Sequence, residues 1–361
     1  MKIYKIVLTG GPCAGKTTIL NKLNKYLKQQ NIPFVTIPET ATDLIVNGIT
    51  PSAMTAYEFQ TIVIKRQLNY ELDAEEYFTN HFANHDKCVI IYDRGIFDNA
   101  AYMDDIGFSK ILSEFNLMSM SVIDSYDMVL DLLSVAACKK EAYNLDNEAR
   151  KENVSEAEIL DNKTSNAWAN HHNLKLLSSK VSIEEETKTV IDYINNALDE
   201  IENQEKVKYL VNILKSNLSI YNNIPQLNVT EYHFDVGLPN DYHFVISARN
   251  TYGKSYILEI YQEKEHKITT IYNKTIDYNT YEYINDNYQC LKTFEKKEIN
   301  FIRNQTFYRL SAHQDQVFIE IQNNTANDEY LLPDGISIYN TQNIDVKNNN
   351  DIRNYVKKLI K

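Results

Sequence analysis

The chain has 361 residues, of which 43% are hydrophobic, 11% aromatic and 24% charged, a composition that suits a globular protein of about two domains. Its 37 Lys and Arg residues against 49 Asp and Glu residues give a net charge of −12. This acidity argues against general binding to phosphate backbones and so disfavours a nucleic-acid partner.

Neither a disulfide framework nor a zinc site is predicted, because the 4 cysteines lie far apart and form no CxxC pair. The apolar start is too short for a secretory signal. The most apolar later stretch, MVLDLLSVAAC, falls short of the roughly 18 residues that a membrane span needs. We therefore expect a soluble, cytoplasmic protein without a membrane partner.

Short β-branched runs alternate with longer helical patterns from residue 1 to about residue 205, which is typical of a parallel sheet flanked by helices. The predicted strands are Lys5–Thr9, Phe34–Pro38, Cys88–Tyr92, Met128–Leu132 and Leu174–Leu177. The predicted helices between them are Asn21–Gln30, Tyr57–Asn80 and Ser155–Asn170. We expect an α/β domain with a mostly parallel sheet over residues 1–205.

The stretch Ile183–Lys215 keeps apolar residues at helical spacing, so we expect it to close the first domain, with a linking helix over residues 206–224. Beyond it, runs such as YHFVISAR, SYILEIYQEK, HKITTIYNK and QVFIEIQ alternate as antiparallel strands do. Residues 225–361 are therefore predicted to form a second, β-rich domain.

A glycine-rich loop carries the strongest chemical signal. Residues 10–17 read GGPCAGKT, which matches G-x-x-x-x-G-K-[ST] and lies directly between a predicted strand and a predicted helix. In such a loop backbone N–H groups surround phosphates, the lysine neutralises them, and the hydroxyl that follows can bind Mg²⁺. The predicted nucleotide-binding residues are Gly10, Gly11, Pro12, Cys13, Ala14, Gly15, Lys16, Thr17 and Thr18.

Charged residues follow two predicted strands at the edge that should carry this loop. Asp93 and Arg94 end the run CVIIYDRG, and Glu39 follows FVTIP. We expect Asp93, with Thr17, to hold the metal, and Arg94 to contact phosphate. Glu39 is predicted to orient or deprotonate an acceptor hydroxyl. Asp98 is a further candidate for the same edge.

The charged stretch between the fourth strand and Trp168 is long enough to form a helical lid over the phosphates. A lid of this kind excludes water and brings a cation to the transferred phosphoryl group. Arg150 is the predicted lid cation, so the predicted catalytic set is Lys16, Glu39, Asp93, Arg94 and Arg150.

Together, GGPCAGKT, IPETATDLI, YDRGIFDNAAY and the NEARKE…EAEILDNKTSNAW stretch resemble a family of small P-loop ATPases of the AAA-like, nucleoside- and nucleotide-kinase-like type, over about residues 1–200. The resemblance implies that residues 1–205 form the five-stranded core of a P-loop kinase-like domain that uses ATP and Mg²⁺. It matches Asp93 and Arg94 to the family's DR segment and Arg150 to its lid arginine.

The segment LKTFEKKEINFIRNQTFYRLSAHQDQVFIEIQ is similar to the second half of CYTH-like triphosphate-tunnel domains, over about residues 225–345. Such domains line a tunnel with Glu and Lys or Arg, and hold metal and triphosphate at a start resembling ExExK. Here the nearest start, NVTEYHF, has only Glu231, and the later candidates are Arg249, Lys264, Lys297, Arg309 and Glu320. We expect a tunnel that binds triphosphate or polyphosphate without hydrolysing it, or a structural barrel.

The leading hypothesis is an ATP- and Mg²⁺-dependent phosphotransferase acting on a small nucleoside- or nucleotide-like acceptor, with GTP as the alternative nucleotide. One alternative is a nucleotide-operated switch with slow hydrolysis, whose β domain binds a partner or a polyphosphate ligand. Another is a 5′-end polynucleotide kinase, in which Tyr and Phe would stack bases.

Overall fold

The computed structural model describes residues 1–11, 14–133, 154–177, 181–200, 204–213, 221, 224–239, 241–250, 253–264, 267–313, 316–322, 332–333 and 336–338. The chain divides into two compact units, Met1–Asp199 and Glu200–Lys361. No helix in the described part of the chain has an apolar stretch long enough to cross a membrane.

The first unit alternates strands and helices. Its elements are β1 (Lys2–Thr9), α1 (Lys16–Gln29), β2 (Phe34–Ile37), α2 (Thr40–Val46), a 3-10 turn (Pro51–Ala53), α3 (Ala56–His81), β3 (Lys87–Asp93), a 3-10 segment (Ile96–Tyr102), α4 (Asp105–Glu114), α5 (Ser119–Ile123), β4 (Met128–Leu132), α6 (Val154–Ala167), β5 (Leu174–Leu177) and α7 (Ile183–Leu198).

The strands of this unit form one parallel sheet in the order β2-β3-β1-β4-β5, which confirms the predicted fold class. Strand β4 is buried along its whole length, as expected of a parallel strand covered on both faces. In the register of β1 with β3, Leu8 lies opposite Asp93. The carboxyl ends of these two strands therefore meet at one edge of the sheet, called here the rim.

Helices α1 and α7 pack on the same face of this sheet. Ile19 and Leu23 of α1 share one buried cluster with Val190 and Ile194 of α7. The start of α7 is fixed by a capping box, in which Ser182 accepts a hydrogen bond from the Glu185 N–H and Glu185 accepts one in return. Apolar residues spaced three and four apart explain why both segments are helical.

The second unit is mainly antiparallel. Its elements are β6 (Gln204–Ile213), β7 (Gln226–Asp235), β8 (Tyr242–Asn250), β9 (Lys254–Lys264), β10 (Lys267–Ile276), α8 (Tyr278–Asn287), β11 (Gln289–Arg303), β12 (Thr306–His313), β13 (Gln316–Gln322) and β14 (Ile336–Ile338). The strands run in the order β10-β9-β8-β7-β11-β12-β13-β6-β14. Because β10 also pairs with β6, strands β6 to β13 close into a ring, called here the strand ring.

The linking helix predicted over residues 206–224 is wrong in its first part, because residues 204–213 form strand β6. The predicted helix from residue 183 ends at Leu198. Lys206 and Lys208 alternate with Val207 and Tyr209 along β6, which is the two-residue period of a strand. Pairing with β10 and β13 provides the hydrogen bonds for this strand, and a local pattern does not contain that information.

The strand ring has an apolar outer face. Ile284 of α8 packs against Phe234, Ile246 and Leu258 from that face. A second outer cluster gathers Phe301, Leu310 and Ile319 with Tyr221 and Ile336. Since neighbouring residues on a strand point to opposite faces, the residues between these point into the ring.

Candidate functional site

The glycine-rich loop of residues 10–17 joins β1 to α1 at the rim. Gly10 has φ +135° and Gly15 has φ +79°, conformations that favour glycine. A Cβ on Gly10 would overlap the carbonyl oxygen of Leu132. Ala14 is buried, whereas Thr17 and Thr18 lie exposed on the first turn of α1. Of the predicted loop residues, Pro12 and Cys13 lie outside the described residues.

Lys16 folds back over this loop. Its Nζ donates hydrogen bonds to the carbonyl oxygens of Gly10, at 2.8 Å, and Gly11, at 2.9 Å. Burial, together with the charge of Arg94, lowers the pKa of Lys16 to about 8. The ammonium group is therefore held at the loop next to other charged groups of the rim.

Arg94 connects two acidic residues at the rim. Its Nε donates to Glu39 Oε1 at 2.6 Å, and its Nη1 lies 3.2 Å from Asp98 Oδ1. Burial alone would raise the pKa of Glu39, but the charge of Arg94 outweighs it, so the pKa lies below its usual value. Arg94 itself has φ +75°, an uncommon conformation for a residue other than glycine. The structure thus brings Glu39, Arg94 and Asp98 into one bonded cluster.

Asp93 ends β3 beside this cluster. Burial and the nearby Glu39 carboxylate raise the pKa of Asp93 to about 6. Its Oδ1 atom is buried and has no hydrogen-bond partner. A carboxylate oxygen and the Thr17 hydroxyl are the hard oxygen donors that Mg²⁺ prefers, so these two residues fit the metal.

No group of three or more His, Cys, Asp or Glu side chains within the described ranges is arranged to hold a metal ion. This finding is compatible with Mg²⁺ at the rim, because Mg²⁺ is commonly held by one or two carboxylates together with water and substrate phosphates. The predicted lid residue, Arg150, lies outside the described residues, as does most of the predicted lid.

Asp131 was not among the predicted site residues; it lies one residue before the end of β4, opposite Thr9 of β1. Asp131 is fully buried, and neither of its carboxylate oxygens has a hydrogen-bond partner within 3.5 Å, although the Ser165 hydroxyl is close enough to favour the charged form. Burial and the nearby Asp161 carboxylate raise the pKa of Asp131 to about 7. A single acidic residue within an apolar strand was the available signal, because such a residue rarely lies in a buried strand without a reason.

Two contacts made by α6 and by the residue that follows it were not predicted. Asp161 Oδ1 accepts a hydrogen bond from the Gly11 N–H at 2.8 Å. Trp168 Nε1 donates to Asp98 Oδ2 at 3.1 Å. No local pattern indicates these contacts, since Gly11 and Asp161 are 150 positions apart.

The strand ring has a second cluster of charges on its inner face. Of the residues predicted to line a tunnel, Glu231, Arg309 and Glu320 take part in it. Lys264 and Lys297 are exposed, and Lys296 lies in the cluster in place of Lys297. The prediction of Lys297 is wrong by one position, because a shift of one residue on a strand moves the side chain to the other face. Arg249 is buried on β8.

Ion pairs connect the inner side chains into a chain of alternating charge. Lys296 Nζ lies 2.6 Å from both Glu231 Oε1 and Glu298 Oε1. Arg309 lies 3.3 Å from Glu320 and 3.5 Å from Glu298. Lys208 also pairs with Glu320 at 3.6 Å, and Lys206 pairs with Glu259 at 3.5 Å. Acids and bases of the ring therefore neutralise each other.

The comparisons with known proteins concern both parts of the chain. A family model described as an AAA domain matches residues 5–186, the part that holds the rim and the glycine-rich loop. This match confirms the AAA-like resemblance. No curated protein matches the sequence.

Three solved structures resemble part of the fold. A Hippeastrum protein, described as a candidate adenylyl cyclase with a dominant triphosphatase activity, is 9% identical, with 34% of this chain and 80% of that chain covered and a TM-score of 0.29. A Pyrococcus horikoshii protein is 16% identical, with 35% and 80% covered and a TM-score of 0.28. A conserved hypothetical protein from Pyrococcus furiosus is 14% identical, with 42% and 88% covered and a TM-score of 0.27. We assign no function from these likenesses.

Proposed function

The chain belongs to the AAA-domain family, and from this premise we propose that it is an ATP- and Mg²⁺-dependent phosphotransferase acting on a small nucleoside- or nucleotide-like acceptor. One observation carries the proposal. Lys16, held on the glycine-rich loop, shares the rim with the bonded cluster of Glu39, Arg94 and Asp98. Phosphoryl transfer requires mainly positioned charge of this kind, and little covalent chemistry from the protein.

Each residue of the rim has a role in this proposal. Lys16 neutralises charge on the β- and γ-phosphates, and Thr17 and Asp93 would hold Mg²⁺, which supplies further charge neutralisation when bound. Arg94 contacts phosphate or fixes Glu39. Arg150 remains the predicted lid cation.

In this proposal Glu39 orients the acceptor hydroxyl. The lowered pKa makes the Glu39 carboxylate a weak base, although it remains a good hydrogen-bond acceptor at neutral pH. A loose transition state for phosphoryl transfer needs an oriented hydroxyl more than a strong base. Glu39 therefore positions the acceptor and does not fully deprotonate it before transfer.

The proposal is tested by transfer from γ-labelled ATP with Mg²⁺. The acceptors are a pooled panel of nucleosides, nucleotides, small metabolites and a 5′-hydroxyl oligonucleotide. We expect the label to appear on a nucleoside or a nucleotide. Label on the oligonucleotide would instead favour the polynucleotide kinase, and free phosphate with no labelled acceptor would favour the nucleotide-operated switch.

A second proposal concerns the strand ring, which we infer binds a triphosphate or polyphosphate ligand without hydrolysing it. The cations of the inner face support this, because Lys206, Lys208, Lys296 and Arg309 lie within a closed ring and could exchange carboxylate oxygens for phosphate oxygens. The acids of the ring do not fit a resident metal. Burial alone would raise the pKa of Glu320, but the charges of Arg309 and Lys208 outweigh burial and lower the pKa to about 2. This carboxylate is therefore ionised and already paired with cations of the protein.

Calorimetry with tripolyphosphate tests this second proposal. Lys208→Gln removes a cation whose side chain is 36% exposed, a change that the ring can tolerate. We expect about tenfold weaker binding for Lys208→Gln and unchanged binding for Lys297→Gln, whose side chain is exposed. Binding should persist in EDTA. Absence of binding to the wild-type chain, or release of phosphate from tripolyphosphate, would contradict the proposal.

A further inference from the structure

The buried face of α6 is unusual in being polar. Asp161, Thr164 and Ser165 lie three and four positions apart, so they share one face of the helix, and Trp168 follows one turn later. All four are at most 4% exposed. A buried helix face is ordinarily apolar, so core packing does not explain why these positions are polar.

Asp161 is polar because it contacts the glycine-rich loop directly. Its Oδ1 accepts the Gly11 N–H at 2.8 Å. A Cβ on Gly11 would overlap the Asp161 carboxylate, so only glycine leaves room for this contact. The backbone of the loop is therefore held by a side chain from a helix far away in sequence.

Trp168 contacts the cluster that Arg94 forms at the rim. Its Nε1 donates to Asp98, and Asp98 also binds Arg94. The Trp168 ring lies against Gly95, where a Cβ would come within 2.6 Å of the ring. The α6 segment thus touches both the loop that carries Lys16 and the cluster that carries Arg94.

We propose that Asp161 is a positioning residue that holds the Gly11 amide and so keeps the glycine-rich loop in the shape that receives nucleotide phosphates. The inference rests on the proposed nucleotide-binding function of that loop. Preorganisation strengthens binding because the loop loses less freedom when the ligand arrives. A buried N–H without an acceptor is costly, so loss of the carboxylate would let the loop rearrange to find another partner.

The acceptor oxygen, and not the negative charge, performs this role. A carboxylate beside a phosphate site repels phosphate, whereas an amide oxygen can accept the same hydrogen bond without that repulsion. Asp161→Asn therefore keeps the contact, and Asp161→Ala and Asp161→Val remove it. Val has nearly the volume of Asp and controls for the space that Ala leaves.

The experiment is calorimetric titration of the full chain with MgATP. We expect binding to weaken about tenfold or more in Asp161→Ala and Asp161→Val, and to stay within about threefold of wild type in Asp161→Asn. Asn162→Ala, an exposed residue of the same helix, is the matched control and should bind as wild type does. Thermal unfolding followed by Trp168 fluorescence, without nucleotide, shows whether each variant is folded.

The outcomes separate this inference from the proposed function. If wild type binds MgATP and both Asp161→Ala and Asp161→Val bind it equally well, the positioning role is wrong. Equal weakening in Asp161→Asn would show that charge matters and would also overturn it. If the wild-type chain binds no ATP, the proposed function fails and this inference fails with it.

Discussion

Replacing Arg309 by leucine is expected to destabilise the strand ring by up to about 3–5 kcal/mol, because the change removes the buried guanidinium that two carboxylates share and leaves each with one lysine. Arg309 lies between Glu298 and Glu320 and also donates from Nε to Asn300 Oδ1 at 3.1 Å. Burial alone would lower the Arg309 pKa, but Glu298 and Glu320 outweigh it and raise it, so the guanidinium stays charged. The leucine variant loses that charge and both ion pairs together.

Hydrogen exchange of strands β11 to β13 measures this effect within the second unit. Lys297→Leu is the control, since Lys297 is exposed on the same sheet, and such surface changes usually alter stability by no more than about 0.5 kcal/mol. Combining Arg309→Leu with Glu298→Gln and Glu320→Gln should recover part of the loss. Protection equal to that of Lys297→Leu would show that the ion pairs of the ring contribute no stability.

The second large effect concerns the pH dependence of Asp131, whose pKa is raised from 3.8 to about 7 in the folded chain. Between these two values the folded state keeps the proton and the unfolded state has lost it. Stability therefore falls as pH rises, by about 1.4 kcal/mol per pH unit. From pH 5 to pH 7 this one residue costs the folded chain about 2 kcal/mol, because the slope flattens as the pH approaches the folded-state pKa.

Asp131→Asn removes this dependence. We expect the variant to gain stability relative to wild type as pH rises from 5 to 7, and the two pH profiles to run parallel above pH 8. Trp168 is the single tryptophan of the chain, so its fluorescence reports unfolding of the first unit. Asp73→Asn replaces an exposed acid and serves as the control. Its stability should follow the wild-type pH profile. Parallel profiles of wild type and Asp131→Asn from pH 5 to pH 7 would contradict the account.

The parallel sheet was predictable because its signals are local. Buried strands such as Met128–Leu132 read as short apolar runs, and the glycine-rich loop follows directly from the run KIVLT. The carboxyl ends of parallel strands meet at one edge, so the placement of Asp93 near the loop follows from the strand pattern. These features depend on residues close to each other in sequence.

Contacts between distant residues were not predictable. The bond between Asp161 and Gly11 depends on where α6 packs, and the residues between β4 and α6 are charged without a clear period. In the strand ring, register decides that Lys296 and not Lys297 meets Glu231. Strand β6 was assigned to a helix because its pairing partners come later in the chain.

A phosphotransferase that uses the glycine-rich loop should lose phosphate transfer when Lys16 is removed. The experiment measures transfer of labelled phosphate from ATP to the acceptor that the panel identifies, in wild type, Lys16→Ala and Lys25→Ala. Lys16 binds the loop carbonyl oxygens, whereas Lys25 is exposed on the same helix. We predict that transfer falls at least about a hundredfold in Lys16→Ala and is unchanged in Lys25→Ala. Equal transfer by Lys16→Ala and wild type, or no labelled acceptor in any of them, would contradict a phosphotransferase that uses this loop.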